Sequence, residues 1–139
     1  MTASHPVISR RAIASACATL ALGLCGNATA SNWPDKPITM VVPYSAGGPT
    51  DVVARLIAVP MGQSLGQSVL VENTVGAGGT IAPNRVAKSK NDGYTILIHH
   101  MGMATAPALY KKLPYDPQKD FEPIGQVLDV PMTLLSRKD

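Results

Sequence analysis

Cysteine is the sharpest absence in this chain. Of 139 residues only Cys17 and Cys25 carry a thiol, and both fall before Ala30. From Ser31 onward the sequence offers no disulfide, no thiol nucleophile and no cysteine-based metal site. Histidine is nearly as scarce: beyond His5 only the pair His99-His100 remains. Adjacent side chains on extended backbone point to opposite sides, so the two are not expected to ligate one metal, and no metal site is expected. No Gly-Lys-Ser/Thr follows any glycine cluster, which excludes a phosphate-binding loop of that type. Ser45 lacks a Gly-x-Ser-x-Gly elbow and a defensible triad, so no catalytic residue is assigned.

Surplus positive charge is missing as well. The chain has 12 Lys and Arg against 9 Asp and Glu, but Arg10 and Arg11 precede Ala30, leaving 10 against 9 from Ser31 onward. A balance near +1 gives no reason to expect a nucleic-acid partner. Long apolar runs are absent too. Ala12 to Gly26 is small and apolar, but at about fifteen residues it is short for a membrane span.

What is present at the start reads as an address. A basic stretch ending in Arg10-Arg11, the apolar run and the small residues Ala28-Thr29-Ala30 follow the order of a signal peptide. Residues 1–30 are therefore expected to leave by cleavage at Ala30-Ser31, releasing a soluble periplasmic product. Sec and twin-arginine export both fit the basic region. Lipid attachment at Cys25 is not expected, because Leu24 is bulky where a small residue is needed.

Trp33 to Pro37 forms a leading arm, and residues 38–42 form a near-continuous apolar strand closed by Pro43. Thr50 or Asp51 is placed to cap a helix whose apolar face is Val52, Val53, Leu56 and Ile57. Pro60 removes an amide donor, so a kink or an early end is expected near Val59, with a looser turn over 61–65. Residues 68–72 read as a second strand. Residues 80–89 read as a helix with Ile81, Val86 and Ala87 inward and Lys88, Lys90 and Asn91 solvated. Asn91-Asp92-Gly93 is a turn. Residues 94–98 read as a third strand, 101–109 as a short helix, 113–117 as a loop, and 121–130 and 132–135 as extended segments. Strand and helix alternating at this spacing predict an α/β fold with right-handed crossovers in three layers.

Two glycine-paired loops stand at strand-to-helix junctions: Tyr44-Ser45-Ala46-Gly47-Gly48-Pro49-Thr50-Asp51 and Gly76-Ala77-Gly78-Gly79-Thr80. In parallel α/β sheets ligands bind beyond the carboxyl ends of the strands, where both loops lie. Glycines let backbone approach a ligand, and helix starts leave amide donors without partners. Such donor clusters suit an anion, most simply a carboxylate; a tight structural turn is the plainer reading. Asp51 is either a cap for its own helix or a partner for a ligand ammonium or hydroxyl. Tyr44 is either a pocket side chain or a cover for the sheet end. His99 or His100 touches ligand or is an ordinary strand-end residue, while Met101 and Met103 read as packing. The second loop invites a dinucleotide reading, but Ile81 stands where Gly-x-Gly-x-x-Gly needs its third glycine and the later acidic residue is missing. A nucleotide- or dinucleotide-binding enzyme domain is the alternative, and no cofactor is expected.

At these loops the chain resembles the Bug family, the TctC-like extracytoplasmic solute receptors of tripartite tricarboxylate transporters. Residues 38–51 resemble the family's first strand and Pro-Phe-x-x-Gly-Gly-x-x-Asp loop. Glu72-Asn73-Thr74-Val75-Gly76-Ala77-Gly78-Gly79-Thr80 resembles its Glu-Asn-Arg-Pro-Gly-Ala-Gly-Gly segment. Val86-Ala87-Lys88 with Asp92-Gly93-Tyr94-Thr95, and then Pro107-Ala108-Leu109-Tyr110-Lys111-Lys112-Leu113-Pro114-Tyr115-Asp116, match later stretches in order. Tyr44 stands where Phe is usual, Thr74-Val75 replaces Arg-Pro, and Pro60 is unusual within the first helix.

The resemblance implies a two-lobed periplasmic binding protein, monomeric at full length, that closes over a small organic acid or acidic amino acid without turning it over. It implies ligand contacts from Tyr44, Ser45, Ala46, Gly47, Gly48, Thr50, Asp51, Gly76, Ala77, Gly78, Gly79 and His99, and delivery to the transporter's membrane subunits. Family members are considerably longer. The expectation is therefore that only the first part of the two-lobed fold is present: an incomplete first lobe over 31–130 and the start of a crossover at 131–139. Alone, such a chain is expected to bind weakly or not at all, and to expose apolar surface over 121–135.

Overall fold

The computed structural model describes residues 32–131, 133 and 135–137; the expected signal peptide lies outside them. The unit beginning at Pro34 carries all the helices and strands described. Strands β1 (Ile38–Val42), β2 (Val69–Asn73) and β3 (Thr95–Leu97) form one parallel sheet in the order β2-β1-β3. Between and after them run α1 (Pro49–Leu65), a 3-10 turn (Ala77–Gly79), α2 (Ile81–Ala87) and α3 (Gly102–Leu109).

Continuous apolarity puts β1 in the middle. Ile38, Met40, Val41 and Val42 are all buried, and each side chain so buried is worth roughly 1.5–3 kcal/mol. Met40 lies opposite Val71 on one side and Ile96 on the other. Met40 and Val42 share a face with Val69, Val71 and Ile96, and α1 covers it through Ala54, Ile57 and Met61. Val41 and its partner Glu72 point the other way, and Arg85 of α2 reaches Glu72 on that side. Helices on both faces of a parallel sheet give the three-layer α/β arrangement expected from the sequence.

Several details differ from expectation. The buried stripe of α1 is Asp51, Ala54 and Ala58; Val52 and Leu56 are 48% and 70% exposed. Small side chains let the helix backbone come close to β1, and that close approach turns the larger residues out. Neither Thr50 nor Asp51 caps the helix. Gly48 is the N-cap and Pro49 supplies the first turn, where its preset φ fits and its missing N–H has no intrahelical role. Helix α1 neither ends near Val59 nor loosens over 61–65. It continues through Pro60 to Leu65 and stops at Gly66, whose φ of 69° is left-handed. Pro60 is tolerated because it and Leu56 face outward, so solvent can reach the carbonyl its ring deprives of a donor.

Strand β2 sits one residue later than expected, and its edge is extended by Thr74 N–H donating to the Val42 carbonyl at 2.8 Å. The expected helix over 80–89 is shorter. Its inward residues are Ala82 and Pro83, whereas Ile81 is exposed, again because the smaller pair permits close packing. The third strand is assigned over three residues, although Tyr94 and Ile98 extend the ladder to Thr39 and Val41. Residues 121–130 form no strand, and Ile124, Val127, Leu128 and Val130 are exposed. Met132 and Leu134 lie outside the described residues.

Candidate functional site

Because all three strands are parallel, the loops after β1, β2 and β3 emerge at one edge of the sheet. The first loop is tied down from beneath. Gly47, at φ 79°, donates its amide to Asp51 Oδ2 at 2.8 Å. Arg55 Nε donates to the same oxygen at 2.9 Å, one helical turn on. Asn73, at the end of β2, donates through Nδ2 to Asp51 Oδ1 at 2.9 Å and to the Tyr44 carbonyl at 2.8 Å. Asp51 is only 2% exposed. The Arg55 guanidinium, then the Gly47 amide and Asn73, hold its carboxyl down to about 2, against the opposing effect of burial.

This arrangement bears on the two readings of Asp51. Both carboxylate oxygens are already occupied by the loop, by α1 and by β2, so the side chain is a tie rather than a free partner for a ligand cation. Ser45, Ala46 and Gly47 form an exposed tip, with Gly48 donating to the Ser45 carbonyl at 3.2 Å. Thr50 and Asp51 occupy the second and third positions of α1, where backbone amides have no intrahelical acceptor.

The second loop is left-handed through Ala77 (φ 45°), Gly78 (62°) and Gly79 (88°). Gly79 donates to the Gly76 carbonyl at 2.9 Å, closing the turn. Gly76, Ala77 and Gly78 are exposed, whereas Gly79 and Thr80 are buried. A Cβ on Gly79 would lie 3.1–3.3 Å from the Tyr44 ring and hydroxyl, so glycine here is what lets the first loop's tyrosine seat against the second loop. Tyr44 thus both covers the sheet end and bridges the loops. Burial raises its pKa, with the nearby Tyr115 and Tyr110 adding smaller effects.

His99 and His100 follow β3, and both rings gather at Tyr44. Tyr44 stacks on His100 with centroids 4.6 Å apart and planes within 5°, and His99 meets Tyr44 edge-on at 5.8 Å. The two imidazoles are 5.4 Å apart. His100 N–H donates to His99 Nδ1 at 2.9 Å and Gly102 N–H to His100 Nδ1 at 3.1 Å. In His100 that acceptor role leaves Nε2 to carry the ring proton, whereas His99 Nδ1 also lies 3.0 Å from the His100 carbonyl, to which the other tautomer would donate. Burial is the main influence on His99 and lowers its pKa. No group of three metal-ligating side chains occurs among the described residues.

Four contributors escaped the sequence reading. Arg55 was signalled only by its four-residue spacing from Asp51, and Asn73 by its place at a strand end. Tyr110 reaches the Ala77 carbonyl with its hydroxyl at 3.3 Å. Tyr115, 7% exposed, packs edge-on to Phe121 at 5.8 Å. A groove between α1 and the β2 edge, lined by Arg55, Ala58, Val59 and Leu70 among others, lies away from the loop tips. No described helix is long and apolar enough to cross a membrane.

A family model described as "Tripartite tricarboxylate transporter family receptor" matches residues 53–139. A UPF0065 protein from the TAR-I ttuE-ttuC' intergenic region of Agrobacterium vitis is 51% identical over 108 residues, covering 78% of this chain and 31% of that protein. Among solved structures, the periplasmic binding protein BugD is 55% identical with a TM-score of 0.65, over 67% of this chain and 31% of its own. MatC from Rhodopseudomonas palustris, solved with bound malate, is 49% identical with a TM-score of 0.65, over 66% and 32%. The chain belongs to the tripartite tricarboxylate transporter receptor family, also known as TctC or Bug solute-binding proteins. It spans about a third of the length of the relatives it matches. The family is one of binding proteins rather than enzymes, which displaces the enzyme-domain alternative.

Proposed function

We propose that this chain carries the carboxylate-gripping loops of a periplasmic solute receptor serving a tripartite tricarboxylate transporter. In this reading residues 1–30 direct export, 31–130 belong to the first lobe and 131–139 begin the crossover to a second. The ligand is a small organic acid or acidic amino acid, handed on to the transporter's membrane subunits.

The observation that carries this reading is the tie beneath the first loop. Asp51 draws the Gly47 amide inward, and its own charge is balanced by Arg55. The first-turn amides of Thr50 and Asp51 are left for an outside acceptor, next to the exposed tip Ser45-Ala46-Gly47. The Gly76–Gly79 loop supplies the second group of donors, joined to the first where Tyr44 rests on Gly79. A carboxylate has two oxygens to divide between such loops, and malate in MatC is an acid of this class. His99, beside Tyr44, lines the same edge.

A thermal-shift screen of organic acids, amino acids, sugars and nucleotides tests the proposal. Stabilisation by small carboxylates is expected. A response to nucleotides with none to carboxylates would contradict it.

A further inference from the structure

Tyr110 lies 33 residues beyond Ala77 and outside every residue assigned above to ligand contact, yet it is fitted to the second loop. Its hydroxyl donates to the Ala77 carbonyl at 3.3 Å. The Thr80 hydroxyl donates to that carbonyl at 2.9 Å and the Thr80 amide at 3.3 Å. Three donors on one oxygen fix the orientation of the peptide unit that joins Ala77 to Gly78. In a planar trans peptide the carbonyl and the following N–H point in opposite directions. Pinning the Ala77 oxygen toward Tyr110 and Thr80 therefore aims the Gly78 amide the other way.

The fit is steric as well. A Cβ on Gly78 would lie 2.0 Å from the Tyr110 hydroxyl oxygen, so the tyrosine occupies the space that glycine leaves. Ala77 is held at φ 45°, a conformation unusual for a residue with a side chain. A conformation of that kind persists when its surroundings over-determine it, and Tyr110 is one of those surroundings.

We propose that Tyr110 is a positioning residue for the second glycine loop, orienting the Ala77–Gly78 peptide so that the Gly78 amide faces the bound carboxylate. The ligand part of this proposal rests on the carboxylate reading given above; the loop part does not. Replacing Tyr110 by Phe keeps the ring and removes only the hydroxyl. Isotope-labelled full chain, wild type and Tyr110→Phe, is compared by NMR before and during titration with L-malate. Without malate, the Ala77 carbonyl carbon and the Gly78 amide are expected to shift in the variant while far-UV circular dichroism stays unchanged. With malate, a roughly three- to tenfold loss of affinity is expected, the size of one neutral hydrogen bond. Gly78→Ala is expected to displace the Tyr110 ring and weaken malate binding, and Gly78→Ala/Tyr110→Phe to recover part of it. Unmoved Ala77 and Gly78 signals in Tyr110→Phe overturn the proposal. If those signals move but malate shifts in wild-type chain fall away from the two loops, Tyr110's hold on the loop stands and the carboxylate reading fails instead.

Discussion

The Gly47 amide donates to the Asp51 carboxylate at 2.8 Å, so the negative charge nearest the first glycine loop is used to shape that loop. Arg55 and Asn73 complete the tie and connect loop, helix and strand end. Asp51→Ala is expected to lower the melting temperature by several degrees and to free the Gly47 amide, visible as loss of its characteristic NMR shift. Asp51→Asn should be milder, since its amide can still accept from one donor. An unchanged Gly47 signal in Asp51→Ala would show that the loop holds itself.

The same tie sets an acid limit. The folded state holds the Asp51 carboxyl at about 2 against an ordinary 3.8, so protons bind the unfolded chain first. Its contribution to stability is complete above about pH 4 and disappears as the pH falls towards 2. Titration of the Gly47 amide shift should give a midpoint near 2. A midpoint near the ordinary carboxylate value would mean the tie is weak in solution.

His99 acts at milder pH with the same sign. Burial lowers its pKa below the usual 6.5, so the folded chain resists protonation more than the unfolded chain does. Stability is complete above pH 6.5 and decreases as the pH falls below it. His99→Phe should flatten that part of the melting-temperature profile relative to wild type. Superimposable profiles would show that His99 contributes no linkage.

Pro60 offers a test of the helix. Pro60→Ala restores an amide donor for the Leu56 carbonyl on an exposed face, removing a defect that costs up to about 3 kcal/mol in a helix interior. A rise in melting temperature is expected, without change in either glycine loop. A fall would mean that the proline shapes α1 in a way its exposed position conceals.

Much of the scaffold was legible in the sequence. The unbroken apolarity of 38–42 marks a central parallel strand, and glycine pairs at strand ends mark the loops. The facing of α1 was not legible, because Ala54 and Ala58 bury through closeness rather than size while Val52 and Leu56 look like core. The Asp51–Asn73 bond and the Tyr110 reach to Ala77 span 22 and 33 residues, and local spacing carries no trace of them. The gathering of both histidine rings on Tyr44, at least 55 residues earlier in the chain, also leaves no trace in local spacing.

Gly47 and Gly78 both sit at positive φ, but for different reasons. A Cβ at Gly47 meets nothing within 4 Å, so only backbone strain opposes it, whereas at Gly78 it meets Tyr110. Replacing both with Val should abolish any carboxylate response while leaving far-UV circular dichroism largely intact. A double variant that still responds would place the ligand elsewhere.

The central claim, that these two loops grip a carboxylate, is tested most directly by NMR titration of the labelled chain with L-malate. The tips are open to solvent, where each hydrogen bond contributes only about 0.5–1.5 kcal/mol, so saturation is expected in the millimolar range. The account predicts progressive shifts concentrated on the amides of Thr50, Asp51 and Gly78 and on the Tyr44 ring, with the rest of the spectrum still. Malate shifts confined to the groove between α1 and β2, or concentrated anywhere other than the two loops, would contradict it.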